Sequence, residues 1–305
     1  MEVIFGLNKV ITGKKSVITI GTFDGVHLGH RAIIKEILQL GKDRDLTSSL
    51  LTFEPHPKTV VQDSPHRIKV LTTIDEKLEI LQDLGLERVI VAKFTREFSE
   101  MSYKSFVEEI LLNRLLASYI IIGYDHSFGR NRIGNFRELE NLSNLYSFNL
   151  KEVGPVKVGN QTVSSTRIRN YIDEGDVENA AKMLGHNYFL TGIVIKGDGR
   201  GQRLTFPTAN LMIENQNKLT PKEGVYVVEC DVLGKKYRGM ANIGYKPTFG
   251  GESRTVEIHI FDFSDNIYGE KISVYFLRRL RDEVKFSSEE QLIKQLKLDK
   301  KNSYQ

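Results

Sequence analysis

Cysteine is nearly missing from this 305-residue chain: Cys230 stands alone, which excludes an intramolecular disulfide framework. It lies inside the apolar run Val225 to Val232, the setting of a buried strand residue. Long apolar runs are missing too, since none approaches the roughly 18 residues that a bilayer-spanning helix needs. The opening MEVIFGLNKVITGKK lacks the basic start, apolar core and small-residue cleavage site of a secretory leader. A cytoplasmic protein with no membrane partner is therefore expected. Charge of one sign is scarce as well. The net charge is +4, and residues 1–186 hold 24 basic and 24 acidic side chains against 19 and 15 in the remainder. The densest basic cluster, Arg278-Arg279-Leu280-Arg281, is short and falls in a predicted strand, so a nucleic-acid partner is not expected. Small anionic substrates suit this balance.

What is present is the composition of an ordinary globular protein, with length for two domains that each bury a core. The most informative stretch is Ser16 to Arg31, SVITIGTFDGVHLGHR. Ser16 to Ile20 is a β-branched apolar run that reads as a buried strand ended by Gly21. Thr22-Phe23-Asp24-Gly25 can turn the chain, and His27-Leu28-Gly29-His30 leads into an amphipathic helix predicted over Arg31 to Leu40. A helix N-terminus carries unpaired N–H groups and partial positive charge, and glycines let an anion approach them. A phosphate site is therefore expected here, with His27 and His30 three residues apart on one helix face. Histidines that merely decorate a helix start are the plainer alternative.

Beyond this unit, strands and helices alternate. Strands are predicted at Ser49 to Phe53, Val89 to Ala92, Tyr119 to Gly123 and Asn149 to Val153. Helices are predicted at Ile74 to Leu84, Tyr103 to Leu115, Phe136 to Leu145 and from Thr166 toward Leu184. Such alternation implies an α/β fold with a parallel sheet, whose ligands bind beyond the carboxyl ends of the strands. Three segments follow strands or open helices in that way: Phe53-Glu54-Pro55-His56-Pro57, Gly123 to Arg130, and Val163-Ser164-Ser165-Thr166-Arg167-Ile168-Arg169. Taken alone they read as a proline-fixed extended exit, an ordinary turn and a well-capped helix.

Near Leu184 to Tyr188 the pattern changes to consecutive strands, at Tyr188 to Ile195, Gly224 to Val232, Lys236 to Ile243, Thr255 to Phe261 and Lys271 to Leu280. An antiparallel sheet closed into a small barrel is expected, followed by a helix over Ser287 to Leu298. Gly197, Gly199 and Gly201 alternate ahead of Leu204-Thr205-Phe206-Pro207-Thr208-Ala209-Asn210, a spacing that is not a Walker loop. Thr208 and Asn210 offer the oxygen donors that Mg²⁺ prefers.

GTFDGVHLGH resembles the signature of HxGH nucleotidyltransferases, and specifically that of the prokaryotic bifunctional riboflavin kinase/FAD synthetase family. The resemblance extends over nearly the whole chain, through an F-x-P-H-P segment, a GYDFRFG-like loop, SSTxxR, PTAN and the strand Val256-Glu257-Ile258-His259. It implies a Rossmann-like FMN adenylyltransferase domain over 1–185 and an antiparallel β-barrel flavokinase domain with a C-terminal helix over 186–305. The implied reactions convert riboflavin to FMN and then FMN to FAD, with ATP and Mg²⁺. The resemblance assigns His27, His30 and Glu257 to catalysis, the last as general base for the ribityl hydroxyl. It assigns Gly21, Phe23, Gly25, Gly29, Ser165, Thr166, Arg169, Gly197, Gly199, Gly201, Thr208 and Asn210 to ATP and its phosphates. His56, Asp125, Phe128 and Arg281 go to flavin, and Thr208 and Asn210 also to the metal. The sequence departs from the family at His126 and Ser127, at Thr205 where glycine is usual, and at Asn266-Ile267-Tyr268-Gly269 where DLYG is usual. An FMN adenylyltransferase with a weakened or lost kinase, and a flavin-sensing regulatory protein with RNA as its partner, are the alternatives. Oligomerisation stays open.

Overall fold

The computed structural model describes residues 1–8, 13–61, 68–124, 126–130, 133–197, 206–248 and 251–305; Asp125, Gly199, Gly201 and Thr205 lie outside them. The chain divides into two compact units, Met1–Ser165 and Thr166–Gln305.

The first unit begins with β1 (Glu2–Phe5), β2 (Ser16–Ile20), α1 (Leu28–Arg44), β3 (Thr47–Glu54), α2 (Pro57–Val61), α3 (Ile74–Asp83) and β4 (Arg88–Lys93). It continues with α4 (Arg96–Ser99), α5 (Tyr103–Ser105) running into a π-helical stretch over Phe106–Leu112, β5 (Ala117–Gly123), α6 (Phe136–Tyr146), β6 (Asn149–Val153) and the hairpin β7 (Lys157–Val158) and β8 (Gln161–Thr162). Six strands form one parallel sheet in the order β1-β4-β3-β2-β5-β6. Strand β2 is central and buried at all five positions, which is why its sequence reads as an uninterrupted apolar run. The chain winds outward from β2 through β3 and β4, then returns to the other side of β2 at β5. The strand order reverses there, so the exits of β2 and β5 flank the position where ligands bind in such sheets.

Two predicted elements change. Helix α1 starts earlier than the apolar pattern alone suggests, because His27 supplies its cap, and Ile33, Ile34, Ile37 and Gly41 form its buried face. The predicted Tyr103 to Leu115 helix is a short α-turn followed by π geometry that buries Phe106, Val107, Ile110 and Leu111. Strand β1, unforeseen, adds to the sheet edge beside β4, where Arg88 Nε lies 2.6 Å from Glu2.

The second unit takes in most of α7 (Ser165–Glu174), then α8 (Val177–Leu184), β9 (Phe189–Ile195), β10 (Ala209–Met212), β11 (Gly224–Val232), β12 (Lys235–Thr248), β13 (Gly251–Ile260), β14 (Lys271–Arg281) and α9 (Glu289–Ser303). The helix predicted to run on toward Leu184 is broken at Gly175, where φ is +84°, and Asp176 caps α8 by accepting from Asn179 N–H. A Cβ on Gly175 would stand 2.7 Å from Arg279 Cδ, so both conformation and space demand glycine. The six strands β10-β13-β12-β11-β14-β9 close into an antiparallel barrel, as expected. Helix α9 lays Ile293 and Leu296 against the barrel residues Phe206, Met240 and Phe261.

Candidate functional site

In the first unit the loop after β2 is held by its aspartate. Asp24, 2% exposed, accepts from Leu71 N–H (2.9 and 3.1 Å), Thr72 N–H (3.0 Å) and the Thr72 hydroxyl (3.4 Å), while Gly25 N–H donates to Thr72 Oγ1 (3.0 Å). This network pins a backbone that non-glycine residues seldom adopt: φ is +47° at Phe23 and +40° at Val26. Such conformations cost on the order of 1–3 kcal/mol each, and they persist where surrounding bonds over-determine them. Gly25, at +83°, completes the turn.

The turn delivers three rings into one stack. Phe23 lies on His30 with centroids 4.5 Å apart, and His30 lies on His27 at 3.6 Å with an interplanar angle of 11°. His27 is the N-cap of α1, and its Nδ1 accepts from His30 N–H at 3.3 Å. Being an acceptor at Nδ1, neutral His27 carries its proton on Nε2. His30 has its pKa held well below the ordinary value, chiefly by loss of water around the ring and further by the charges of His27 and Lys77. The pair is thus two stacked imidazoles at a helix N-terminus, of which His30 is held toward its neutral form. The shared-face expectation is refined, for one ring caps the helix that carries the other. Gly29 leaves room for this: a Cβ there would meet the His27 ring at 3.2 Å, and one on Gly21 would meet Phe23 at 3.2 Å.

Ser165 reaches the same loop, its hydroxyl donating to the Asp24 carbonyl at 3.0 Å. Thr166 and Arg169 follow in α7, with Arg169 one turn beyond Ser165. His56 stands past the exit of β3; its Nδ1 accepts from Lys58 N–H, so the expected extended exit instead opens α2, with Pro57 at the first helical position. Phe128 is 9% exposed and packs in the core beside Phe106, with ring centroids 5.5 Å apart. Two residues that the sequence reading passed over, Lys77 and Glu54, stand beneath and beside the loop. Lys77 is 5% exposed and donates to Thr52 Oγ1 at 3.3 Å.

In the second unit the barrel register assembles the predicted residues. Asn210 on β10 lies directly opposite Glu257 on β13, and Asn242 on β12 faces Glu257 from the other side. Directly opposed residues share a sheet face, so a carboxylate sits between two amides. A cavity of about 720 Å³ opens there, lined by Gly197, Thr208, Asn210, Glu257 and Arg281 among others. Gly197 has a spatial role: a Cβ would collide with Asn210 Nδ2. His259, two residues beyond Glu257 and on the same face, is 7% exposed; its Nδ1 bonds the Pro207 carbonyl at 2.8 Å and must be the donor. Burial lowers its pKa. The alternation of Glu257 and His259 was the signal available for it. Arg281 is fixed by Asp299 of α9, with Nε 3.1 Å from both carboxylate oxygens and Nη2 2.6 Å from Oδ2. Asp299 is 2% exposed and the Arg281 side chain 21%, so the arginine is held at the edge of the cavity by a buried carboxylate. At the departure from DLYG, Asn266 Oδ1 accepts from Tyr268 N–H at 3.1 Å, the turn-holding bond an aspartate makes.

Fold and sites together define a two-module protein, an HxGH-type parallel α/β unit joined to a flavokinase-type barrel. The family model for FAD synthetase matches residues 10–167, and that for riboflavin kinase matches residues 184–305. A bifunctional riboflavin kinase/FMN adenylyltransferase of Listeria monocytogenes is 38% identical over 96% of this chain and 92% of its own length. A Bacillus subtilis protein of the same name is 35% identical over 95% and 92%. A crystal structure described as a macrolide-efflux protein of Streptococcus pneumoniae superposes with a TM-score of 0.90 at 32% identity, covering 100% of this chain and 99% of that one. The chain belongs to the bifunctional riboflavin kinase/FMN adenylyltransferase family. No helix among the described residues is long and apolar enough to cross a membrane.

Proposed function

We propose that this protein makes FAD from riboflavin in two ATP-dependent steps, one per module, with the functional division at 185/186. The observation that carries the reading is that both family models match, one on each half of the chain; the stacking of His27 on His30 and the pairing of Asn210 with Glu257 support it.

In the first step Glu257 takes the proton of the ribityl 5′-hydroxyl, the oxygen bonds to the γ-phosphorus of ATP, and ADP departs. Thr208 and Asn210 supply neutral oxygens, and among the described residues no group of three or more His, Cys, Asp or Glu side chains is placed to hold a metal. That donor set fits Mg²⁺, which binds through few protein oxygens and completes its shell with water and phosphate. Bound there, Mg²⁺ supplies charge neutralisation along the triphosphate. Arg281, braced by Asp299 and bonded through Nη1 to the Asp282 carbonyl, contacts the flavin with its remaining N–H groups.

In the second step a phosphate oxygen of FMN bonds to the α-phosphorus of ATP, the bond from that phosphorus to the bridging oxygen breaks, and pyrophosphate leaves. His27 and His30 act as hydrogen-bond donors at the α-phosphate, in line with the helix dipole behind them. Gly21, Phe23, Gly25 and Gly29 shape the approach, and Ser165, Thr166 and Arg169 receive the outer phosphates. His56 stands near the flavin phosphate; Phe128 holds the loop that follows β5. Both reactions use ATP, and a cytoplasmic location belongs to the proposal on that ground.

Chromatography of flavin products, with riboflavin and FMN offered separately in MgATP, tests the reading. FMN and then FAD should appear from riboflavin, and FAD from FMN. FAD arising solely from supplied FMN would establish the single-activity alternative, and no turnover of either flavin would overturn the reading. The turn held by Asn266 favours both activities.

A further inference from the structure

Lys77 occupies a place that a lysine rarely takes. It sits on the buried face of α3 with Ile80 and Leu81, at helical spacings of three and four, and is 5% exposed. Its Nζ donates to Thr52 Oγ1 at 3.3 Å, and the Thr52 hydroxyl in turn donates to the Thr22 carbonyl at 3.2 Å. Thr22 adjoins Phe23, which stacks on His30. An unbroken line of contacts therefore runs from the ammonium to the second imidazole of the HxGH pair. The start of α3 is tied to the same loop, because Asp24 receives Leu71 N–H and Thr72 N–H just ahead of the Thr73 cap.

We propose that Lys77 is a positioning residue for adenylyl transfer: its buried ammonium braces the exits of β2 and β3 through Thr52, and offsets Asp24 and Glu54 where the polyphosphate of ATP enters. The proposal rests on the adenylyltransferase reading of this unit. Without the ammonium, Asp24 and Glu54 would lie near a polyanion with one cation fewer, and Thr52, which bonds the loop after β2, would lose the donor that anchors it to α3.

The electrostatics agree with the geometry. The groups that act on one another electrostatically around this ammonium are Asp24 on the loop after β2, His27 and His30 at the start of α1, Glu54 at the end of β3 and Lys77 on α3, with Arg31 bonded to the Val26 carbonyl of the same loop and Arg169 and His56 the further charged or titratable groups of the proposed site. Burial lowers the pKa of Lys77, while Asp24 and Glu54 favour its charged form. Lys77 in turn helps to hold His30 neutral.

The test uses the full-length chain with three variants, and riboflavin phosphorylation serves as the internal measure of folding. K77M should lower FAD formation from FMN on the order of 100-fold, the scale of a misplaced reactive group. It should also move the acid limb of that reaction's pH profile toward neutrality, because one cation beside His30 is gone, while K77R should leave the limb in place. A wild-type rate and an unmoved limb in K77M would overturn the proposal, and so would a K77R limb shifted as far as that of K77M. Should K77M fail to fold, T52V answers instead: it removes the hydroxyl that accepts from the ammonium, and unchanged FAD formation would sink the proposal. A wild-type protein that makes no FAD would defeat the adenylyltransferase reading itself, which is a separate outcome.

Discussion

Gly29 shows how a single absent methyl group serves a site. Its missing Cβ leaves 3.2 Å to the His27 ring, the ring that caps α1 and stacks on His30. Gly29→Ala should push that ring by a few tenths of an ångström and lower FAD formation on the order of 10-fold to 100-fold, with riboflavin phosphorylation intact. Paired assays of the two reactions would check this. Cys230 offers the opposite case, a reactive group made inert. Burial pushes its thiol up to about 12, so iodoacetamide at neutral pH should leave the native protein unlabelled and label it after unfolding in urea. At this scale the sequence was most readable where chemistry is local. The HxGH spacing, PTAN and Glu257 could be located because the family motifs that carry them are contiguous in the chain. Lys77, His259 and Asp299 could not, because each matters through a partner distant in sequence: Thr52, Pro207 and Arg281. Their one local trace is position, a charged or polar residue on an otherwise buried face.

Among the elements, α9 is the one whose sequence least announces its role. Its amphipathic pattern predicts a helix, and the structure adds that this helix walls the barrel cavity with Leu292, Leu296 and Asp299. The barrel grips it in return. Arg238 Nε donates to the Ser303 carbonyl at 3.3 Å and Arg278 to the Asn302 carbonyl, which satisfies groups left over at the helix C-terminus. Asp299→Ala would strand Arg281 without its carboxylate. Breaking a buried pair of this kind costs about 3 kcal/mol. The variant should show a higher KM for riboflavin and a lower unfolding midpoint, while FAD formation from supplied FMN stays at the wild-type level; kinetics and urea titration would read both. Sheet order and barrel closure followed from the alternation and succession of strands. The Gly175 break did not, since the constraint comes from Arg279 on β14, far along the chain.

For the molecule as a whole, each unit holds a histidine whose pKa is lowered by desolvation, the half-buried His30 in one and the buried His259 in the other. The unfolded chain takes up protons at the ordinary histidine value of 6.5, whereas the folded chain resists until lower pH. In that interval the unfolded state binds more protons, so stability rises with pH, and acidification below about 6.5 removes it. Urea midpoints should therefore fall between neutral and mildly acidic buffer in both units, followed separately by FAD-forming and FMN-forming activity after brief exposure. An equal or higher acidic midpoint would contradict the desolvation of both rings.

The placement of α9 also bears on how the chain comes into being. A ribosome releases β9 to β14 before the helix that closes their cavity, so a newly made barrel exposes Phe206, Met240 and Phe261 until Ile293 and Leu296 arrive to cover them. Translation that stalls between Arg281 and Glu289 would leave a barrel with a greasy open mouth and an arginine lacking its counter-charge, a natural handle for chaperones and a point at which nascent chains could stick together.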